Sequence, residues 1–115
     1  MANPVVWFEV MGKNGTALRS FYGDLFGWRY QTLGDTDYGM VEADGGQGIP
    51  GGVGASQEQY VTFYISTSSI NASLEAIGER GGKTVMPRTE LPGGTIIGMF
   101  ADPDGNTVGL VEEAA

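Results

Sequence analysis

Apolar and polar positions along the chain form two similar series, each opening on a strand pattern and passing into a helix pattern. Val5-Val6-Trp7-Phe8-Glu9-Val10 is a β-branched and aromatic run of the kind that suits a pleated, half-buried surface. Asn14 stands where it can cap a helix, and Leu18, Phe21, Tyr22, Leu25 and Phe26 then recur at helical spacing, predicting one wide apolar face. Gly27 follows, where a helix end takes a left-handed residue. Residues 28–33 and 38–43 read as strands around the turn Gly34-Asp35-Thr36-Asp37. The stretch 44–55, dense in glycine and proline, has room for one short strand.

The series then restarts. Residues 60–65 form a strand pattern, Ser68 or Ser69 caps a helix carrying Ile70, Leu74 and Ile77, and Gly81-Gly82 stops it. Residues 83–86, 95–101 and 107–112 supply three more strands. Offset by 55 positions, Val6/Val61, Phe8/Phe63, Ala17/Ala72, Gly23/Gly78 and Gly27/Gly82 coincide, and at 58 Ala43-Asp44 falls on Ala101-Asp102. Two copies of a unit longer than fifty residues indicate a duplicated fold rather than a solenoid. The expectation is one α+β domain over residues 1–115, made of βαβββ units at about 4–55 and about 59–113.

Composition narrows the chemistry. Six basic and fourteen acidic side chains leave a net charge of −8, which argues against a nucleic-acid surface or an anionic membrane as partner. No apolar run reaches the ~20 residues of a membrane span, and Met1-Ala2-Asn3-Pro4 lacks a secretory leader pattern, so a cytoplasmic protein is expected. The chain contains neither Cys nor His. Thiolate nucleophiles, imidazole bases and the usual zinc ligands are therefore absent, and chemistry is left to carboxylates, Tyr, Lys, Arg and backbone groups. Gly46-Gln47-Gly48-Ile49-Pro50-Gly51 matches a dinucleotide fingerprint in letters only, because Pro50 stands where a helix would have to open and no helical pattern follows.

Three local motifs carry a resemblance. Phe21-Tyr22-Gly23-Asp24-Leu25-Phe26-Gly27-Trp28, Gly81-Gly82-Lys83, and Phe100-Ala101-Asp102-Pro103-Asp104-Gly105-Asn106 occur in the order and spacing of the vicinal oxygen chelate superfamily. With the duplicated unit, the chain resembles this superfamily of glyoxalases, bleomycin-resistance proteins and dioxygenases over nearly its whole length. The resemblance implies a curved mixed sheet forming an open cleft, with ligand positions on the first and last strand of each unit. Those positions fall on Trp7, Gly51, Thr62 and Gly109, none of them a competent metal ligand apart from a weak hydroxyl. No metal and no cofactor are therefore expected.

By strand parity and by this resemblance, the cleft is expected to be lined by Trp7, Glu9, Thr62 and Tyr64, with Tyr30, Tyr38, Met40, Met99 and Gly109 as further ligand-binding candidates. Gly51 and Gly109, lacking side chains, would let a flat ligand approach the backbone. Glu9 is the candidate for chemistry: a general base, a ligand contact that could pair with a cation steered in by the −8 charge, or a structural partner of an arginine such as Arg29. Three functions remain open. The leading one is metal-independent binding of an aromatic or amphipathic ligand, with an antibiotic held by sequestration among the candidates. The second is proton transfer by Glu9 in a metal-independent isomerase or lyase, and the third, least favoured, is a metal-dependent glyoxalase or dioxygenase. The resemblance also implies a C2 homodimer.

Overall fold

The computed structural model describes residues 2–43 and 46–114; Asp44, and with it one end of the glycine-rich stretch and of the Ala43-Asp44 repeat pair, lies outside them. The elements are β1 (Val5–Gly12), α1 (Gly15–Phe26), β2 (Tyr30–Thr32), β3 (Tyr38–Val41), β4 (Gly51–Ala55), β5 (Tyr60–Thr67), α2 (Ile70–Glu79), β6 (Lys83–Glu90), β7 (Ile96–Ala101) and β8 (Thr107–Glu112). The element order is βαβββ twice, as the repeat predicts. Two compact units are distinguished: Trp7–Thr62, and the described residues of Met1–Val6 with Phe63–Ala115.

In the Trp7–Thr62 unit the strands run β2-β3-β4-β1, with β1 parallel to β4 and the other pairs antiparallel. The register builds two rows of opposite facing. Tyr30, Val41, Gly51 and Phe8 form one row and face α1; Gln31, Met40, Gly52 and Glu9 form the next and face away. Val10, Val41 and the fully buried Val53 make the core under the helix, with Phe8, Leu18, Tyr22, Trp28 and Tyr30 packed against it. Gly51 belongs to that helix-facing row, and the ring of Phe8 occupies the space its side chain would need.

Both ends of α1 are closed as the sequence indicates. Asn14 Oδ1 accepts from the Ala17 N–H at 3.0 Å, and Gly27 takes φ 75°. The broad apolar face expected of this helix is only half used. Leu18 and Tyr22 join the core, whereas Phe21, Leu25 and Phe26 are 55%, 61% and 64% exposed. The reason lies in Trp28, which does not continue into β2 as expected. It folds back and stacks on Tyr22 (5.1 Å, 13° between planes) and against Phe8 (5.3 Å), filling the space beside the helix.

In the other unit the order is β5-β8-β7-β6, again one parallel pair followed by antiparallel ones. Ile65, Leu110 and Gly98 share the row beneath α2, where the buried Ile70 sits over Gly98. Tyr64, Gly109, Met99 and Met86 form the row facing away. Ser69, rather than Ser68, is the cap of α2: its Oγ accepts from the Ala72 N–H at 3.1 Å. Strand β6 continues four residues beyond the expected end at Met86, through Pro87. An edge strand tolerates a proline because one side of its backbone needs no ladder partner, and the pairing with β7 shifts register on both sides of Met86.

Candidate functional site

Glu9 is a buried carboxylate in the middle of β1, 8% exposed, in the row that faces away from α1. Two phenols donate to it. The Tyr38 O–H reaches Oε2 at 2.8 Å and the Tyr60 O–H reaches Oε1 at 3.0 Å. Trp7, two residues before Glu9 and so on the same face, donates its Nε1–H to Tyr38 Oη at 3.2 Å. Trp7, Tyr38, Met40 and Tyr60 are all half-buried, so the carboxylate lies at the floor of a partly open aromatic surround.

The local sequence explains how this surround is held. Asp37, immediately before Tyr38, is fixed by Arg19 of α1 at 2.9 Å and by the Gly15 N–H at 3.2 Å, while Arg19 also donates to the Val53 carbonyl at 3.1 Å. The start of β3 is thereby tied to α1 and β4. Gly52 provides the space: the Tyr38 phenol lies where a Cβ on Gly52 would project. A side chain there and the Tyr38–Glu9 hydrogen bond exclude one another.

This arrangement sets the protonation of the tyrosines. Burial first, and then the charge of Glu9 beside them, push Tyr38 and Tyr60 far above the ordinary tyrosine value. Both therefore remain neutral donors over the physiological range. Neither is available as a base.

The structure brings Trp7, Glu9, Tyr38 and Met40 to one face of the Trp7–Thr62 unit, as expected. Thr62, at the end of that unit, is buried at 6%. Tyr30 is displaced from the expectation. Pairing with Val41 turns it to the helix-facing row, its ring packs near Gly23 and Gly39, and its hydroxyl is buried with no hydrogen-bond partner. In the second unit Tyr64, Met99 and Gly109 do share a row. However, the ring of Tyr64 lies over Gly109, which is buried, so this glycine offers its backbone to the protein's own ring rather than to a ligand. The same holds for Gly51 beneath Phe8.

Register also corrects the internal correspondence. Glu9 pairs with Gly52 as Tyr64 pairs with Gly109, so the counterpart of Gly109 is Gly52 and not Gly51. Tyr60 was absent from the expected set. Its signal was available, because residues 60, 62 and 64 alternate onto one face of a strand. Gly52 had no comparable signal, since only the parallel register between β1 and β4 places it opposite Glu9.

Taken residue by residue, the positions that the resemblance implies for metal ligands, with Gly52 in place of Gly51 by register, supply no strong donor: Trp7 is an indole, Thr62 a hydroxyl, and Gly52 and Gly109 have no side chain. Among the described residues no three acidic side chains gather that could replace them. A concavity of about 770 Å³ opens elsewhere, along the α1–β2 connection and the end of β3, bordered by Phe26, Trp28, Arg29, Gln31, Met40 and Glu42. Its charged residues, Arg29 and Glu42, are exposed, so it lacks the buried charge that distinguishes the Glu9 face. Among the described residues no helix is long and apolar enough to cross a membrane.

Comparison with known proteins places this geometry in context. A family model for the glyoxalase/bleomycin resistance protein/dioxygenase superfamily matches residues 5–110. The CFP32 proteins of Mycobacterium bovis and Mycobacterium tuberculosis, assigned as glyoxylases, are 25% identical over 113 residues, covering 90% of this chain and 43% of theirs. The chain thus spans less than half the length of the curated relatives it matches. Among solved structures, a superfamily member from Vibrio splendidus 12B01 matches with a TM-score of 0.69 at 15% identity, covering 97% of this chain and 100% of that one. Methylmalonyl-CoA epimerase from Mycobacterium tuberculosis follows at 0.67 and 14%, covering 96% and 88%. The Mn(II)-bound glyoxalase from Novosphingobium aromaticivorans reaches 0.70 at 17%, covering 98% of this chain and 40% of that one. At these identities the structural likeness speaks to the fold alone.

Proposed function

The chain belongs to the glyoxalase/bleomycin resistance protein/dioxygenase superfamily, and from that premise we propose that it is a metal-independent binder of an aromatic or amphipathic small molecule, held on the Glu9 face and sequestered rather than converted. The observation that carries this reading is the buried Glu9 carboxylate with two phenols donating to it and the half-buried rings of Trp7, Tyr38 and Tyr60 around it. Aromatic walls enclosing a few fixed polar groups are the usual make-up of a small-molecule site. Affinity comes from stacking on the rings, and orientation comes from the fixed polar groups at the floor.

Binding is favoured over turnover by the state of these groups. Each Glu9 oxygen already accepts a phenol. A general base has to reach the substrate proton it removes, and here it would first have to give up one of those bonds. The neighbouring tyrosines are held neutral and supply no second base. The isomerase or lyase alternative uses the same carboxylate and predicts chemical change in the ligand.

The test is a screen of aromatic and amphipathic compounds, antibiotics included, by quenching of the Trp7 fluorescence in a Trp28→Phe background. A bound compound recovered unaltered by mass spectrometry after prolonged incubation supports sequestration. Recovery of a product would replace this reading with the enzymatic one. Saturable binding that demanded added divalent metal would remove the metal-independent reading.

The protein acts as a C2 homodimer in this proposal. Phe21, Leu25 and Phe26 expose apolar surface along α1, and the curated relatives are long enough to hold a second domain of this size. Sedimentation equilibrium giving twice the mass of 12.1 kDa is the expected result, and a monomer at high protein concentration would refute it.

A further inference from the structure

Strand register in the Trp7–Thr62 unit carries the Glu9 face outward to the edge of its strands. Glu9 stands opposite Gly52, Gly52 opposite Met40 and Met40 opposite Gln31, so the four form one row across β1, β4, β3 and β2. Paired strands lie ~4.8 Å apart, and three such steps make the row about 14 Å long. Its inner end is the aromatic surround of Trp7, Tyr38 and Tyr60. At its outer end Gln31 and Met40 both border the concavity of about 770 Å³. That volume falls within the ~300–1,000 Å³ that small-molecule pockets occupy. The half-buried Met40 thus belongs to the aromatic surround and to the concavity alike. Gly52 is the one place in the row without a side chain, and the Tyr38 ring lies over it.

The outer end has its own chemistry. Antiparallel pairing of β2 with β3 sets Tyr30 against Val41 and Gln31 against Met40. One further step in the same register sets Arg29 against Glu42, and both border the concavity. Each is exposed, and neither side chain forms an ion pair among the described residues. A guanidinium only donates hydrogen bonds, a carboxylate only accepts them, and the Gln31 amide does both. Opposite charges set side by side cancel at a distance, so this end attracts neither an anion nor a cation strongly. An uncharged group with an acceptor for Arg29 and a donor for Glu42 satisfies both, and a carboxamide is such a group.

We propose that the ligand is elongated, with its aromatic or apolar body on the Glu9 face, a chain crossing Met40, and a carboxamide-type end group held between Arg29 and Glu42. This rests on the proposed binding function and adds the length and the end group of the ligand to it. Met40 suits the crossing, because an unbranched thioether adapts its shape to a flexible chain. A carboxylate in the place of the carboxamide gains Arg29 but is repelled by Glu42, and an amine meets the reverse.

Four probes separate length from end group. 6-(1-Naphthyl)hexanamide and 6-(1-naphthyl)hexanoate span the row, whereas 1-naphthylacetamide and 1-naphthylacetate do not. Each is titrated calorimetrically into the full chain at pH 7. The long amide is expected to bind about tenfold tighter than the long carboxylate. Glu42→Ala removes the repulsion and is expected to shrink that ratio to about twofold, while changing the ratio in the short pair less than half as much. Arg29→Ala is expected to weaken the long amide about fivefold and the short amide less than twofold. Both positions are exposed, so both variants are expected to melt as the parent chain does. Equal discrimination at the two lengths, or variants that alter long and short probes alike, would overturn the extended site while leaving small-molecule binding on the Glu9 face in place. Failure of all four probes to bind would overturn both.

Discussion

Gly52 is constrained by a side chain that is not its own. The Tyr38 phenol fills the space a Cβ at residue 52 would take, so Gly52→Ala must push that ring away from Glu9 and break the hydrogen bond between them. Overpacking and the lost bond together are expected to cost about 1–3 kcal/mol in urea unfolding. Gly78, in α2, makes the contrast. A Cβ there meets nothing within 4 Å, so Gly78→Ala is expected to stabilise by about 0.5–1 kcal/mol through helix propensity. If both variants lost stability equally, the close approach of Tyr38 would not be the cause. Tyr30 gives a third outcome at this scale. Its hydroxyl is buried without a partner, and burial accordingly raises its pKa. Tyr30→Phe removes an unsatisfied group and is expected to leave the melting temperature unchanged or higher, by up to about 1 kcal/mol of stability. A clear loss would mean that this hydroxyl has a partner in solution.

At the level of the element, α1 shows how periodicity and burial separate. Leu18, Tyr22 and Leu25 fall on neighbouring turns, yet Tyr22 packs against the core beside Trp28 while Leu25 is 61% exposed. Tyr22→Ala is expected to cost about 3 kcal/mol or more, from the lost stacking on Trp28 and the cavity left behind. Leu25→Ser is expected to stay within about 0.5 kcal/mol in the monomer. Chemical unfolding of the two variants checks this, and comparable losses would show that the outer stripe is buried in the native protein. The strands differ in a parallel way. The glycines of β4 permit the rings of Phe8 and Tyr38 to lie directly on the backbone, so an apparently weak strand is held by aromatic side chains from its neighbours.

For the molecule as a whole, titration brackets the range of stability. Asp102 is held below the usual carboxylate range by the Asn106 side chain and by backbone N–H groups, and Glu112 by Arg88 and the Ile70 N–H. A carboxylate with a depressed folded pKa stabilises at pH above its unfolded value. That contribution is lost as the pH falls through the folded value, so stability should decline below about pH 4. Tyr38 and Tyr60 act at the other end. Their folded pKa values are raised, so the stabilisation is complete below the ordinary value of 10.0 and is lost as the pH climbs above it. The expected result is a calorimetric melting temperature that falls at both extremes, with the phenolate absorbance of these two tyrosines appearing only together with unfolding. Their titration in the folded protein near the ordinary value would contradict the buried contact with Glu9.

The repeat of strand and helix patterns, the caps at Asn14 and Gly27, the absence of His and Cys, and the grouping of Trp7 with Glu9 are properties of the sequence itself. They depend on local backbone preference and on strand parity, which act over a few residues. The fold class followed from them. Tertiary structure decided the rest. Whether Gly51 or Gly52 stands opposite Glu9 depends on the register of two parallel strands separated by a helix and a hairpin, and one step of register reverses the facing of every side chain. That register put Tyr38 over Gly52, turned Tyr30 beneath α1, and left half of the α1 apolar face outside the core. Local pattern identifies which residues can share a face. Only long-range packing determines what that face meets.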